Sequence, residues 1–334
     1  FLFCNMKNNI LGICLFSISL FACKTEIEQN TPESNVWELE IVDSIQVDYL
    51  GRIWSADFKN GYGYLKDIST NSLVKFDTLG KIISQKTYPI SESRGGRRNA
   101  KNIGFWKDKI LLWYPGRDGI SPYIEHFYRD YSLLELFDPA SQTSDSLIRL
   151  APTSKFNSDL FFDTPSIQFS ISGDYLYLAL GNDPQVHRYS LAEEGKWLES
   201  IPFKPSEFHV IEGQKKPVGY VSGNTMYEAT IESLYSMEDT LVVYYNGGIS
   251  EEIFQQYDLK KPENYPMYPD FRKQFLKIYH PESGLSNEII LPPSIDFILN
   301  IESLNKPFYA LRHDEYLGEE QDYLIFYKLQ LKRK

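Results

Sequence analysis

Short apolar strands separated by polar turns recur along most of the chain. A typical unit spans residues 73–81, where alternating apolar and polar positions (LVKFD) lead into a turn (TLGK). Related units occupy residues 134–141, 186–190, 276–284 and 324–328. Alternation of this kind, followed by Asp, Pro or Gly, predicts β-hairpins.

A second apolar strand precedes each of these units, at residues 63–65, 110–114, 175–180, 241–245 and 308–311. Several of these runs are continuously apolar, which is typical of strands covered on both faces. Further strands are predicted before or after the pairs, for example at 53–58, 82–88, 167–171 and 287–291. Four strands per unit at a spacing of about 40–50 residues predict an all-β protein, a β-propeller of four-stranded antiparallel blades, with five repeats visible.

The two ends of the chain extend this prediction. The last repeat reaches Lys334 without a predicted fourth strand. Residues 36–45 form a predicted strand that belongs to none of the other repeats. We expect the N-terminal strand to complete the last blade and close the ring, because closure removes an exposed sheet edge. A pair of β-sandwiches built from the same hairpins is the alternative.

Composition limits the function classes. The 334 residues are 42% hydrophobic and 24% charged, which is typical of a globular chain and not of a disordered one. Aromatic residues reach 15%, a bias that favours strands. The formal net charge of −11 argues against a nucleic-acid partner, which would require a basic surface.

The first 35 residues predict where in the cell the protein is located. Met6 and Lys7 precede an apolar run from 10 to 22, so residues 1–22 are predicted to be a signal peptide that starts at Met6. Residues 20–23 (LFAC) resemble the lipobox of bacterial lipoproteins, which implies acylation of Cys23. Residues 23–35 then form a flexible tether to a propeller domain at 36–334. An ordinary signal peptide or an N-terminal helix is the alternative.

The lipobox together with turns such as residues 76–81 (FDTLGK) resembles a family, the six-bladed TolB-like β-propeller lipoproteins of Gram-negative bacteria. The resemblance implies a sixth blade, which residues 204–238 could hide, and an outer-membrane lipoprotein of the cell envelope. The resemblance indicates the fold and does not indicate a ligand.

Loop lengths predict where a site lies. Turns between first and second strands and between third and fourth strands are short, whereas the connections on the opposite face are long. The long connections are residues 91–101, 115–131, 151–165, 204–228, 246–271 and 312–322. Long loops gathered on one face of a rigid scaffold usually carry the binding residues.

Candidate ligand-binding residues lie in or beside these connections. They are Arg94, Arg97, Arg98, Trp113, Tyr114, Arg117, Asp118, Asn246, Arg312, His313 and Asp314. Guanidinium groups suit carboxylate, sulfate or phosphate, and aromatic residues beside Arg and Asp suit a sugar. The alternative is that the basic loop is solvated and only balances nearby acids.

Linear catalytic motifs are absent from the sequence, and its three cysteines all lie in the predicted leader. We therefore expect no cofactor, no metal and a non-enzymatic binding or scaffold role, with a carbohydrate, an anionic ligand or an envelope protein as partner. A lactonase-like or uronide-acting hydrolase or lyase, with or without a metal, is the alternative. Its first candidate residues are Asp118, His126, Asn246, His313 and Asp314.

Overall fold

Five antiparallel sheets, arranged as the blades of a propeller, make up the fold. The computed structural model describes residues 35–51, 53–67, 69–87, 103–113, 127–162, 166–216, 228–318 and 321–334. The predicted leader and lipidation site, residues 1–34, lie outside this range. Among the described residues, no helix is long and apolar enough to cross a membrane.

Strand β1 (Trp37–Val47) comes first in the chain, and blades 1 to 3 follow in order. Blade 1 contains β2 (Ile53–Lys59), β3 (Tyr62–Asp67), β4 (Ser72–Asp77) and β5 (Ile82–Thr87). Blade 2 contains β6 (Ile103–Trp106), β7 (Lys109–Leu112), β8 (Leu134–Asp138) and β9 (Thr143–Leu147), with helix α1 (Phe127–Asp130) before β8. Blade 3 contains β10 (Ile167–Ser172), β11 (Tyr175–Leu180), β12 (Gln185–Ser190) and β13 (Lys196–Pro202).

Blades 4 and 5 carry short helices between their second and third strands. Blade 4 contains β14 (Thr230–Met237), β15 (Thr240–Asn246), β16 (Gln274–His280), β17 (Gly284–Leu285) and β18 (Ile289–Leu291). Strands β17 and β18 pair with different parts of the same edge of β16 and together take the place of the fourth strand. Blade 5 contains β19 (Ile295–Asn300), β20 (Phe308–Arg312) and β21 (Leu324–Arg333). The helices are α2 (Glu251–Gln256), a 3₁₀ helix (Pro262–Met267), α3 (Tyr268–Phe271) and α4 (Asp314–Leu317).

The N-terminal strand lies beside the C-terminal one. Strand β1 pairs antiparallel with β21, from Trp37 opposite Arg333 to Val47 opposite Leu324. Blade 5 thus has three strands from the end of the chain and a fourth from its start. The all-β prediction and the four-stranded blades are confirmed. The described residues form five sheets, and the described part of 204–229 adds no further sheet.

Apolar side chains between neighbouring blades form the core. Four large clusters join blades 2 and 3, blades 3 and 4, blades 4 and 5, and blades 5 and 1. Strands β11 and β15 are buried along almost their whole length, as their continuous apolar runs predict. In blade 1 the alternation of β3 leaves one face exposed, with Tyr64 at 40% and Leu73 of β4 at 51%.

Two long connections meet at one end of the fold. Residues 247–273 join β15 to β16 and carry three short helices, which pack around Phe254 and Leu259. Residues 313–323 join β20 to β21 and carry α4. The Tyr316 hydroxyl of α4 donates a hydrogen bond to Asp270 Oδ1 of α3 at 2.8 Å. The two connections therefore lie against each other.

Candidate functional site

A cavity of about 650 Å³ lies between blades 1, 4 and 5. The first strands β2, β14 and β19 form much of its wall. First strands of neighbouring blades contact one another, as β2 contacts β19, and they are therefore the innermost strands. The connections 247–273 and 313–323 supply the remaining side, with Arg272 and His313 among their contributions. The cavity thus combines a rigid strand wall with loop residues, the arrangement usual for small-molecule sites.

Asn246 organises the polar side of the cavity. It ends β15 and is only 2% exposed. Its side-chain nitrogen donates to Glu232 Oε1 at 2.6 Å, and its oxygen accepts from Arg272 Nε at 3.0 Å and from the Gly248 backbone N–H at 3.0 Å. Arg272 also lies 3.5 Å from Glu232 Oε1. This buried amide therefore fixes a carboxylate and a guanidinium from two separate elements.

Carboxylates from three blades face the same cavity. Asp57 lies on β2, Glu232 on β14 and Asp296 on β19, so each comes from an innermost strand. Glu315 of α4 adds a fourth from the loop side. Two cationic side chains, Lys66 and Arg272, also line it. The described lining is acidic overall.

The pKa values of two buried tyrosines, Tyr244 in the wall and Tyr235 close to it, are shifted by these carboxylates. Burial raises the pKa of Tyr235, and the negative charges of Asp57 and Glu232 raise it further. Burial likewise raises the pKa of Tyr244 well above its usual range, and Glu232 and Asp296 add to the shift. Both phenols stay protonated at neutral pH and act as hydrogen-bond donors, Tyr235 to the Ile298 carbonyl at 3.2 Å.

Aromatic rings form another part of the wall. Tyr244 donates through its hydroxyl to Gln274 Oε1, and the Gln274 nitrogen donates to the Ile295 carbonyl at 2.9 Å. Tyr265 and Tyr268 stack with ring centres 5.3 Å apart, and Tyr268 is fixed by a 2.6 Å hydrogen bond from its hydroxyl to the Leu259 carbonyl. Hydrogen bonds and stacking thus hold the tyrosines that line the space in place.

The segment 312–316 is held by its own contacts. Arg312 Nε donates to Asp314 Oδ1, with both side chains at most a quarter exposed. His313 Nδ1 accepts from the Tyr316 backbone N–H at 3.1 Å, which begins the single turn α4. Of these residues, His313 lines the cavity, whereas Arg312 and Asp314 pair with each other.

The residues predicted from the sequence therefore separate into three groups. Asn246 and His313 line the cavity, while Arg312 and Asp314 lie next to it. Trp113 is 8% exposed and packs in the core between blades 2 and 3. Cys23, Arg94, Arg97, Arg98, Tyr114, Arg117, Asp118 and His126 lie outside the described residues.

Sequence reasoning missed most of the cavity wall. Asp57, Glu232, Asp296 and Tyr244 lie on strands, whereas the residues predicted from the sequence lie in or beside the long connections. One signal was present, because Glu232 and Asp296 interrupt short apolar runs of the sequence, which form strands β14 and β19 in the structure. A charged residue in such a strand points either to a buried pair or to a central cavity.

A second polar cluster lies in blade 3 and holds a loop in place. Burial alone would raise the pKa of Asp183, but the adjacent His187 and the Ser154 hydroxyl, which donates a hydrogen bond to Asp183 at 2.7 Å, lower it. Lys155 Nζ donates to Asn182 Oδ1 at 2.5 Å and to the Ile211 carbonyl at 2.9 Å. Burial lowers the Lys155 pKa to about 8. Within the described ranges, no group of three or more His, Cys, Asp and Glu side chains could hold a metal ion.

Comparison with known proteins supports the fold. Protein-family profiles and curated sequences each gave no match. The structure of a DUF4221 family member from Bacteroides vulgatus is similar with a TM-score of 0.56 at 9% identity, covering 90% of this chain and 100% of that one. At this identity the likeness shows the fold alone. The chain is a β-propeller with five described four-stranded blades.

Two further structures are more distant. A Bacteroides fragilis protein that is described as exported has a TM-score of 0.40 at 12% identity, covering 84% of this chain and 77% of that chain. Glutaminyl cyclase from Myxococcus xanthus has a TM-score of 0.33 at 8% identity, with 89% of this chain and 98% of that one covered. These similarities carry no argument about activity.

Proposed function

We propose that this protein is a binding module of the cell envelope that holds a small polar ligand in the cavity between blades 1, 4 and 5. The observation that carries the proposal is the Asn246 network. A buried amide, a carboxylate and a guanidinium are fixed at the wall of an open space of about 650 Å³. Fixed polar groups beside aromatic faces lower the entropy lost on binding.

Retention of small molecules tests this proposal directly. Purified protein is equilibrated by dialysis with a metabolite extract of an envelope-bearing bacterium, and retained compounds are identified by mass spectrometry. A Ser55→Phe substitution places a phenyl ring at a position that lines the cavity. Ser141→Phe, in the exposed β8–β9 turn, is the matched control. The wild type and the control should retain the same compound and Ser55→Phe should lose it. Equal retention by all three proteins would contradict the proposal.

We also propose export and lipid anchoring through Cys23, as a lipoprotein of the outer membrane. The apolar run 10–22 followed by LFAC supports this proposal. Cells that express the full chain and are fed radiolabelled palmitate should label the wild type and not Cys23→Ala. Membrane fractionation should place the wild type with the outer membrane. A wild-type protein that stays unlabelled would contradict lipid anchoring. An ordinary signal peptide or the absence of a leader would then be the remaining explanations.

We also propose that the chain belongs to the six-bladed TolB-like family and that β1 closes the ring. The β1–β21 pairing, with the apolar contacts of Ile45 and Val47 in the cluster between blades 5 and 1, supports closure. A chain that lacks residues 35–47 should then lose cooperative unfolding. A chain that lacks only residues 1–34 should keep it, and equal behaviour of the two would count against closure.

A glycosidic or lactone hydrolase or lyase is the second candidate function. The observation that favours it is the pair Asp57 and Glu232, carboxylates of separate blades that line one cavity, since paired carboxyl groups supply a general acid and a general base. A panel of aryl glycosides, uronides and lactones tests it. Any hydrolysis should fall by about 100-fold or more in Glu232→Gln and persist in the control Asp145→Asn.

A further inference from the structure

Glu232 is the extra residue of a β-bulge in the wall of the cavity. In β14, Ile231 and Ser233 pair with consecutive residues of β15, so Glu232 between them has no residue opposite it. Strand β19 has a similar irregularity at Asp296. A bulge redirects a side chain, and bulges are common beside functional sites. The fold therefore places Glu232 at the cavity by a local departure from regular pairing.

Only one oxygen of the Glu232 carboxylate is used inside the described protein. Oε1 accepts from Asn246 Nδ2 at 2.6 Å and lies 3.5 Å from Arg272 Nη2. Among the contacts of the described residues, none involves Oε2. The Glu232 side chain keeps 28% of its surface exposed. Because a carboxylate can accept several hydrogen bonds, Glu232 has unused acceptor capacity in the cavity wall.

Arg272 has unused donors beside this carboxylate. Its Nε donates to Asn246 Oδ1 at 3.0 Å, and its Nη2 contacts Glu232. Within the part of the chain that the structure describes, its hydrogen bonds and ion pairs involve no other nitrogen. The side chain is 38% exposed, and a guanidinium carries several N–H donors. Free donors and free acceptors thus belong to two side chains that one buried amide holds together.

A hydroxyl group matches such a pair because it both donates and accepts. Two adjacent hydroxyls of a sugar ring can donate to Glu232 and accept from Arg272 at the same time, through charge-assisted bonds on both sides. Ser55 of β2 lines the same cavity, as does His313. His313 Nδ1 accepts from the Tyr316 backbone N–H, so its Nε2 is the nitrogen that can donate. A ring with several hydroxyls matches these dispersed groups better than a single amide does.

Aromatic side chains complete the match. Tyr64, Tyr244, Tyr265 and Phe297 line the cavity together with the polar groups. The C–H faces of a sugar ring are apolar and gain free energy when aromatic carbon replaces water against them. A wall that combines fixed polar groups with aromatic side chains therefore suits a ligand with hydroxyls at its rim and C–H groups on its faces.

We infer that the ligand of this cavity is a sugar or a related cyclic polyol, held by two adjacent hydroxyls that bridge Glu232 and Arg272. The inference rests on the proposed function, because it names the ligand class of the same site. Recognition of this kind depends on where the hydroxyls lie and requires no charge on the ligand.

Sugars compared with their O-methylated forms test the inference. The probes are glucose, galactose, mannose, N-acetylglucosamine and myo-inositol, each beside a form in which every hydroxyl is methylated. Methylation keeps the ring and removes the hydroxyl donors. Uracil serves as an amide probe without hydroxyls. Binding to the purified protein is followed by calorimetry and thermal shift up to about 10 mM. At least one sugar should bind, and its methylated form should bind at least about tenfold more weakly.

Variants connect the preference to the site. Glu232→Gln keeps the side-chain shape and replaces the free acceptor oxygen, and Arg272→Lys keeps the positive charge and removes the guanidinium. Each should weaken the sugar by about tenfold or more. Glu232→Gln should also reduce the ratio between the affinities for the sugar and its methylated form, whereas a variant that only loosens the fold would weaken both alike. Asp145→Asn, at an exposed position of β9, should leave both unchanged.

The possible results separate the inference from the proposed function. Equal binding of the sugars and their methylated forms would overturn the inference, and so would binding of uracil alone or of no probe. A sugar affinity that is unchanged in Glu232→Gln and Arg272→Lys would overturn it as well. The dialysis experiment with Ser55→Phe does not depend on hydroxyl groups. Retention there of a compound without adjacent hydroxyls would uphold the proposed function while the inference fails.

Discussion

Asp67 makes the stability of this protein depend on acid in a calculable way. It ends β3, the strand that brings Tyr64 and Lys66 to the cavity, and its side chain is fully buried. The hydroxyls of Tyr49 and Thr70 donate to Oδ2 at 2.7 and 2.8 Å. The backbone N–H and hydroxyl of Ser69 donate to Oδ1 at 2.7 and 2.6 Å. Four donors therefore stabilise the ionised form.

These donors set the pKa and its energetic consequence. Burial by itself would raise the Asp67 pKa, but the hydrogen bonds outweigh it and lower the pKa from 3.8 to about 2. The ionised group therefore contributes about 2 kcal/mol to the free energy of unfolding at neutral pH. Because the folded pKa is the lower one, this contribution is complete above about pH 5. It falls to about 1 kcal/mol near pH 3 and is nearly gone at pH 2 and below.

Urea unfolding of the wild type and Asp67→Asn, measured from pH 7 to pH 2, tests this reasoning. The free energies should differ by about 2 kcal/mol or more at pH 7, and the difference should shrink as the pH falls through the folded pKa. Asp145→Asn corrects for general acid effects. A difference between wild type and Asp67→Asn that stays constant or grows on acidification would show that the four donors do not hold an ionised carboxylate.

Three further predictions concern other parts of the fold. Gly80 has φ +81°, and an added Cβ would lie 1.7 Å from a backbone oxygen of β1, so Gly80→Ala should cost more than about 3 kcal/mol by urea unfolding. Gly284→Ala, with φ +71° and open space around it, should cost about 1 kcal/mol, and equal costs would contradict the contact. Competitive acetylation over a pH series should give Lys155 a pKa of about 8. The same measurement should give Lys261, which is paired with Asp258, a pKa above its usual value. Asn246→Ala should lower stability by about 2–4 kcal/mol because it removes hydrogen bonds to a carboxylate and a guanidinium.

The pattern of the sequence predicted the blades well because each strand carries its signal locally. The continuous apolar runs at β11 and β15 became strands buried on both faces, and the FDTLGK turn became the β4–β5 hairpin. The unassigned N-terminal strand was found beside β21. A one-residue change in the register of such strands would reverse which side chains are buried, so the pattern is strongly constrained.

The site was predicted less well, because its members are distant in the sequence. Asn246 and His313 were singled out since they lie at the ends of long connections, and both line the cavity. Asp57, Glu232 and Asp296 were missed. Each lies on a first strand, and nothing local shows that the first strands of blades 1, 4 and 5 face a common space.

Local sequence therefore determined the strands, their turns and the repeat, because hydrophobic periodicity and turn chemistry act over a few residues. The arrangement of the sheets around an axis depended on packing between blades, through clusters that combine residues more than 200 positions apart, such as Ile45 and Phe326. Only that packing brought carboxylates of three blades and the tyrosines of the 247–273 connection to one cavity. The set of side chains that lines this cavity is therefore a property of the tertiary structure.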